Sequence, residues 1–120
     1  QMKKHGPDYE NFVYIMMTSD GAYLKIGHTH NLSKRIIQVK SQLQRDISFC
    51  LFHEVRLEDA YELESVLVES LSKHSVLMNE EDVNGVKSSE TFIVSDQLIE
   101  ELNDTLDDLG ILDSLQEYAM

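Results

Sequence analysis

The stretch FVYIMMTSDGAYLKIGHTHNLSKR, residues 12–35, decides the fold. With the preceding Asn11 it opens on NFVYIMMT, rich in strand-forming side chains, and AYLKIG follows after the turn residues SDG. Two such runs joined by a short Gly-containing turn predict a β-hairpin. Beyond it, Asn31 or Thr29 can cap a helix whose apolar residues are Leu32, Ile36, Val39 and Leu43. That spacing (i, i+4, i+7, i+11) is one helical face. The hairpin carries Tyr14 and Lys25, and the helix carries Arg35, residue types that suit a phosphate-handling site.

Outward from this stretch, ISFCLFHEVRL (47–57) predicts a third strand, central in the sheet because both of its faces are largely apolar. EDAYELESVLVESLSKH (58–74) predicts a helix with Ala60, Leu63, Leu67 and Leu71 on one face. Residues 75–89 lack periodicity and contain Asn84-Gly85, so they read as a loop. ETFIV (90–94) is a short last strand. A third helix opens at Ser95 or Asp96, carries Leu98, Leu102, Leu106 and Leu109, and stops at Gly110. ILDSLQEYA (111–119) is expected to continue as a short helix. The order β-β-α-β-α-β-α predicts an α+β fold, a small and mostly antiparallel sheet flanked by helices.

A chain of 120 residues suits one core. No apolar run approaches the length of a bilayer span, and no stretch reads as a signal peptide. The single cysteine, Cys50, permits no internal disulfide, and a cytoplasmic setting is expected. Ten Lys/Arg stand against 22 Asp/Glu, a net charge of −12. The imbalance is uneven. Residues 21–45 hold five bases and no acid, whereas residues 96–120 hold eight acids and no base. One region can therefore attract phosphate while the tail repels it.

Glu64 shares the inward helix face of Ala60 and Leu67. A carboxylate there is costly unless paired or bound to a cation. It reads as a ligand for a hard divalent ion, or as an ion-pair partner for Arg35. Arg35 lies on the inward side of its own helix, where a guanidinium can grip a phosphate at two points or serve a buried carboxylate. Tyr14 reads either as a core residue or as a proton relay for water attack. The second role needs its phenol pKa lowered, and Lys25 on the paired strand is a source of the required charge, although a lysine on the outer face of a hairpin is the commoner reading. Tyr9 and Tyr23 are further candidates of the same kind. His28 and His30 would share one side of an extended segment; two histidines alone are a weak zinc signal, and contact with phosphate is the expectation. Asn31, Lys34 and Lys40 join them as candidate substrate-binding residues, Asn31 doubling as a helix cap.

Taken together, FVYI with Tyr14, YLKIGHTHNLSKR with Lys25 and Arg35, LESVLVESL with Glu64, and SSETFIVS with Glu90 and Phe92 resemble the GIY-YIG nuclease superfamily. The likeness is to its "KIG" branch, named after a coliphage open reading frame. It covers roughly residues 12–95. The resemblance implies an N-terminal arm (1–11), a nuclease domain (12–95) and an acidic helical extension (96–120). It also implies metal-dependent hydrolysis of phosphodiesters in nucleic acid, DNA being the first expectation. A single Mg2+ or Mn2+ ion would sit on Glu64, Tyr14 would activate water and Arg35 would steady the phosphate, the three meeting in one shallow cleft. The chain departs from the pattern at Phe12 for glycine, Val68 for histidine and Thr91 for tryptophan. The acidic surface supports an alternative, an inactive member of the fold that binds a basic protein or mimics nucleic acid. A protein partner or a homodimer through the acidic C-terminal helix is a further expectation.

Overall fold

Strand-forming residues between residues 11 and 29 make the predicted hairpin, β1 (Asn11–Thr18) paired with β2 (Tyr23–Thr29). The computed structural model describes residues 11–74, 76–81 and 87–119. Of the N-terminal arm (1–11), only Asn11 falls among them, as the first residue of β1; Tyr9 and the Asn84-Gly85 turn lie outside the described residues. The hairpin turn is built by Asp20, whose carboxylate accepts from Thr18 Oγ1 (2.6 Å) and the Ala22 N–H (3.0 Å). Gly21 takes the positive φ (72°) the turn needs. Arg45 reaches back to lock it, donating Nε to Asp20 (2.8 Å) with its guanidinium 4.7 Å from the Tyr23 ring centre.

The remaining elements are α1 (Leu32–Leu43), β3 (Ile47–Val55), α2 (Leu57–Ser70), β4 (Val76–Glu81), β5 (Lys87–Ile93), α3 (Asp96–Asp108) and β6 (Gln116–Glu117). They form one six-stranded sheet in the order β4-β5-β2-β1-β3-β6, with every neighbouring pair antiparallel. The α+β class and the helix positions are as the periodicities predict.

Three details differ. The segment expected to be a loop contributes β4 and the first part of β5, which pair by backbone hydrogen bonds, so side-chain periodicity gave no sign of them. The segment expected to be a last short helix makes a 3₁₀ turn at Leu112–Ser114 and the two-residue β6. And β3 is not central, being covered on its outer side only at Leu51 and Phe52. Its two apolar faces reflect helices on both sides of the sheet rather than strands on both edges.

Those helices divide the interior in two. Val13, Ile15, Leu24, Ile26 and Phe92 pack against Ala60, Leu67 and Leu71 after α2, and against Leu98, Leu102 and Leu106 of α3. On the reverse face Tyr14, Met16 and Cys50 pack against Leu32, Ile36, Val39 and Leu43 of α1. Chain geometry requires this division. β2, β3 and β4 run parallel to one another, so β2-α1-β3 and β3-α2-β4 are both crossover connections. They travel across the sheet in opposite directions. Crossovers are right-handed in nearly all proteins, so two that run in opposite directions place their helices on opposite faces.

Candidate active site

Alternation along β1 sends Tyr14 to the α1 face, where it is fully buried. Arg35, in the first turn of α1, donates Nη1 to the Tyr14 hydroxyl at 3.2 Å, its guanidinium carbon 5.9 Å from the ring centre. The Arg35 Nε is buried and makes no hydrogen bond within the described residues. Around the guanidinium lies a cleft of about 150 Å³ lined by Thr29, His30, Asn31, Lys34, Arg35 and Gln38. The turn into α1 explains its shape. Thr29 Oγ1 accepts from the Asn31 N–H (3.1 Å), and Asn31 then caps the helix by accepting from the Lys34 N–H (3.0 Å). Asn31 is thus a structural cap at the rim of the cleft. Lys34 and Lys40 are exposed on α1, and of the two only Lys34 lines the cleft.

Lys25 faces the same side, opposite Met16 in the ladder and diagonal to Tyr14. It is only 1% exposed. Its ammonium donates to Gln42 Oε1 of α1 (3.0 Å) and to Thr91 Oγ1 of β5 (3.2 Å). Gln42 did not stand out in the sequence, although it lies seven residues after Arg35 and so shares its helix face, and Thr91 stood out only as a departure from the family pattern.

Glu64 lies across the sheet. It is 5% exposed on the inner face of α2, and its Oε1 pairs with Nδ1 of His28. His28 sits opposite Val13, so its side chain points to the α2 face, where it also meets the Tyr61 ring edge-on at 4.6 Å. Glu64 and the buried Glu90 line a cavity of about 490 Å³ with Tyr61, Ser65, Val68, Glu69 and Ser72. The partner of Glu64 is therefore His28, and Arg35 is engaged with Tyr14 instead.

Two expectations change accordingly. His28 and His30 do not share a side, because the chain leaves the sheet after Thr29. His30 reaches the Arg35 cleft, while His28 belongs to the Glu64 cavity. Nor do Tyr14, Arg35 and Glu64 meet in a single cleft: the first two occupy the α1 face and the third the α2 face. Both groups lie toward the same end of β2, since Tyr14 is opposite Gly27 and His28 is the next residue.

Among the described residues no three His, Cys, Asp or Glu side chains group as a metal site. Zinc takes three or four protein ligands, a set not found among them. Magnesium keeps several waters and takes one or two carboxylates, which the Glu64–Glu90 cavity can provide. Elsewhere, burial pushes the Cys50 thiol up to about 12, so Cys50 is a core residue rather than a nucleophile. His74 pairs with Glu101 at 2.8 Å and ties the end of α2 to α3. Among the described residues no helix is long and apolar enough to cross a membrane.

Residues 11–110 match the T5orf172 domain, a span that runs from β1 through α3. Comparison with curated proteins gives no match, and comparison with solved structures gives none. The match takes in 100 of the 120 residues and contains both the Arg35 cleft and the Glu64 cavity. The chain belongs to the T5orf172 domain family, which is associated with a nuclease-like fold.

Proposed function

We propose that this domain is a metal-assisted nuclease of the GIY-YIG type that hydrolyses phosphodiester bonds in nucleic acid, with DNA as the first substrate to test. The observation that carries this reading is Arg35. One of its nitrogens is fixed on Tyr14, while its Nε is left without a hydrogen-bond partner beside a cleft that Lys34 and the start of α1 make electropositive. A guanidinium with a donor in reserve is suited to a phosphate oxygen.

A phosphate drawn into the cleft engages Arg35 and uncovers the Tyr14 hydroxyl beneath it. In its phenolate form, favoured by the nearby Lys25 ammonium, the Tyr14 oxygen would take the proton of the attacking water as the new P–O bond forms and the bond to the leaving sugar oxygen breaks, that oxygen taking a proton from solvent. Glu64, with Glu90, would hold the ion. A bound Mg2+ or Mn2+ supplies Lewis-acid polarisation of a phosphoryl oxygen. Because the two groups flank one end of β2 from opposite faces, substrate must reach round that end. A polynucleotide can do this and a small phosphodiester cannot.

A second reading is favoured by the pairing of Glu64 with His28 on the far face and by the net charge of −12. In it the domain binds without cutting, through the Arg35 cleft or through its acidic face to a basic protein. A plasmid-nicking assay in Mg2+ or Mn2+ separates the two. The nuclease reading expects nicking by the wild type, loss of nicking in both Arg35→Ala and Glu64→Ala, and no hydrolysis of bis(p-nitrophenyl) phosphate. Nicking that survives Glu64→Ala defeats the site assignment. Polynucleotide binding that needs Arg35, with no nicking by any variant, establishes the second reading.

A further inference from the structure

Lys25 is a lysine placed almost wholly inside the protein. A buried ammonium is unfavourable unless its donors are met, and a lysine offers only donors. Two acceptors at its tip come from different elements, Gln42 from the last turn of α1 and Thr91 from β5. Gln42 stands on the helix face that also carries Arg35 and Val39, at i, i+4 and i+7. One face of α1 therefore fixes two cations over the sheet, Arg35 at Tyr14 and, two turns later, Lys25. We propose that Gln42 is a positioning residue for the candidate centre, which, with Thr91, keeps the Lys25 amine protonated and held on the Tyr14 side of the sheet. This deepens the nuclease reading for its role in reaction, while the effect on Lys25 itself stands apart from that reading.

The physical basis is acceptor chemistry. An oxygen that accepts from Lys25 Nζ stabilises the charged form and does nothing for a neutral amine in that role. Among the described residues, other titratable groups on this side include Tyr14 of β1, Tyr23 of β2, Cys50 of β3, Arg35 of α1 and Tyr118 after β6, with Arg45 just beyond α1 on the Tyr23 ring. The described residues of α1 include no acid, so the helix gives Lys25 an amide oxygen in place of a carboxylate. Gln42 is an exposed residue of α1 and belongs to neither core cluster, although its amide oxygen reaches the buried Lys25 nitrogen. Its replacement therefore tests the contact rather than the fold.

The test is a 13Cε-lysine NMR titration of the full chain, comparing wild type with Gln42→Leu and Gln42→Glu. One hydrogen bond to a charged group corresponds to a shift of about one pH unit. Gln42→Leu is expected to lower the Lys25 midpoint by that amount, with a matching fall of about 5 °C in melting temperature at neutral pH, and Gln42→Glu to hold or raise both. A Lys25 midpoint that ignores both substitutions overturns the proposal. In the nicking assay the pH–rate profile should move with the Lys25 midpoint in Gln42→Leu and return in Gln42→Glu. A midpoint that moves in a protein that never nicks leaves the assignment of Gln42 to Lys25 standing and defeats only the nuclease reading. Nicking whose pH profile stays fixed while the midpoint moves overturns the positioning role.

Discussion

Arg35 Nη1 and the Tyr14 hydroxyl are joined at 3.2 Å across 21 positions of sequence, while Glu64 is held by His28 on the other side of the sheet. The Arg35–Tyr14 pair and the Glu64 carboxylate are thus separately anchored, and each can be perturbed alone.

Arg35→Lys keeps the charge but loses the planar fork and the reach to Tyr14. Polynucleotide binding, read by fluorescence anisotropy, is expected to weaken about 10- to 100-fold, in line with one charge-assisted contact. Tyr14→Phe should weaken binding far less and reduce cleavage instead. Equal loss of binding in both variants would contradict the division of roles.

Ion binding should report on the Glu64–Glu90 cavity and not on Arg35. At roughly a hundredfold excess over Kd a bound ion stabilises by about 2.7 kcal/mol, a rise of about 10 °C in Tm for a domain of this size. Mg2+ or Mn2+ is expected to raise the Tm of the wild type and of Arg35→Ala, and to leave Glu64→Ala unmoved. Thermal shift assays at matched ionic strength check this.

Acid should loosen the hairpin turn through Asp20. Hydrogen bonds from Thr18 and Ala22, and then from Arg45, hold its carboxyl down at about 2, against an ordinary 3.8. A depressed pKa stabilises the folded state above the ordinary value, and that contribution fades as pH falls toward 2. Urea midpoints of Asp20→Asn should therefore approach those of the wild type between pH 4 and 2, after lying below them at neutral pH. Glu101 contributes in the same sense, its pKa lowered first by Lys73 and then by His74. It should keep some acid sensitivity in the variant.

Cys50 should be chemically silent in the folded protein. Its thiol is fully buried and pushed up to about 12 by that burial. A disulfide-exchange reagent at pH 8 is expected to leave it unmodified until denaturant is added, and then to label one thiol per chain. Fast labelling of the native protein would show that the α1 face opens readily.

Much of this architecture can be read from the residues, and the exceptions have definite causes. The helical faces of Leu32–Leu43 and Leu98–Leu106 and the hairpin around Gly21 are written in side-chain period and turn chemistry. β4 is held by backbone pairing to β5, which leaves no such trace. The inward positions of Arg35 and Glu64 were legible from helical spacing, and a core position for Tyr14 from its residue type, but not the face of the sheet each one meets. Period tells which side of an element is buried; only strand order and crossover hand tell what it is buried against. The same limit applies to Lys25. An outer-face lysine and a buried one look alike until Gln42 and Thr91 are brought to its tip.

The leucines of α3 are committed to the α2 face, and this fixes where the acidic end of the chain can be. Six acids of α3 and five of α2 stand on one side of the sheet, with no base on either helix. On the other side α1 presents Lys34, Arg35 and Lys40 with no acid. The domain is therefore an electric dipole mounted across a rigid plate. A long polyanion would turn it broadside before touching it, cationic helix foremost, so that the same excess of carboxylates that weakens attraction also selects the angle of arrival.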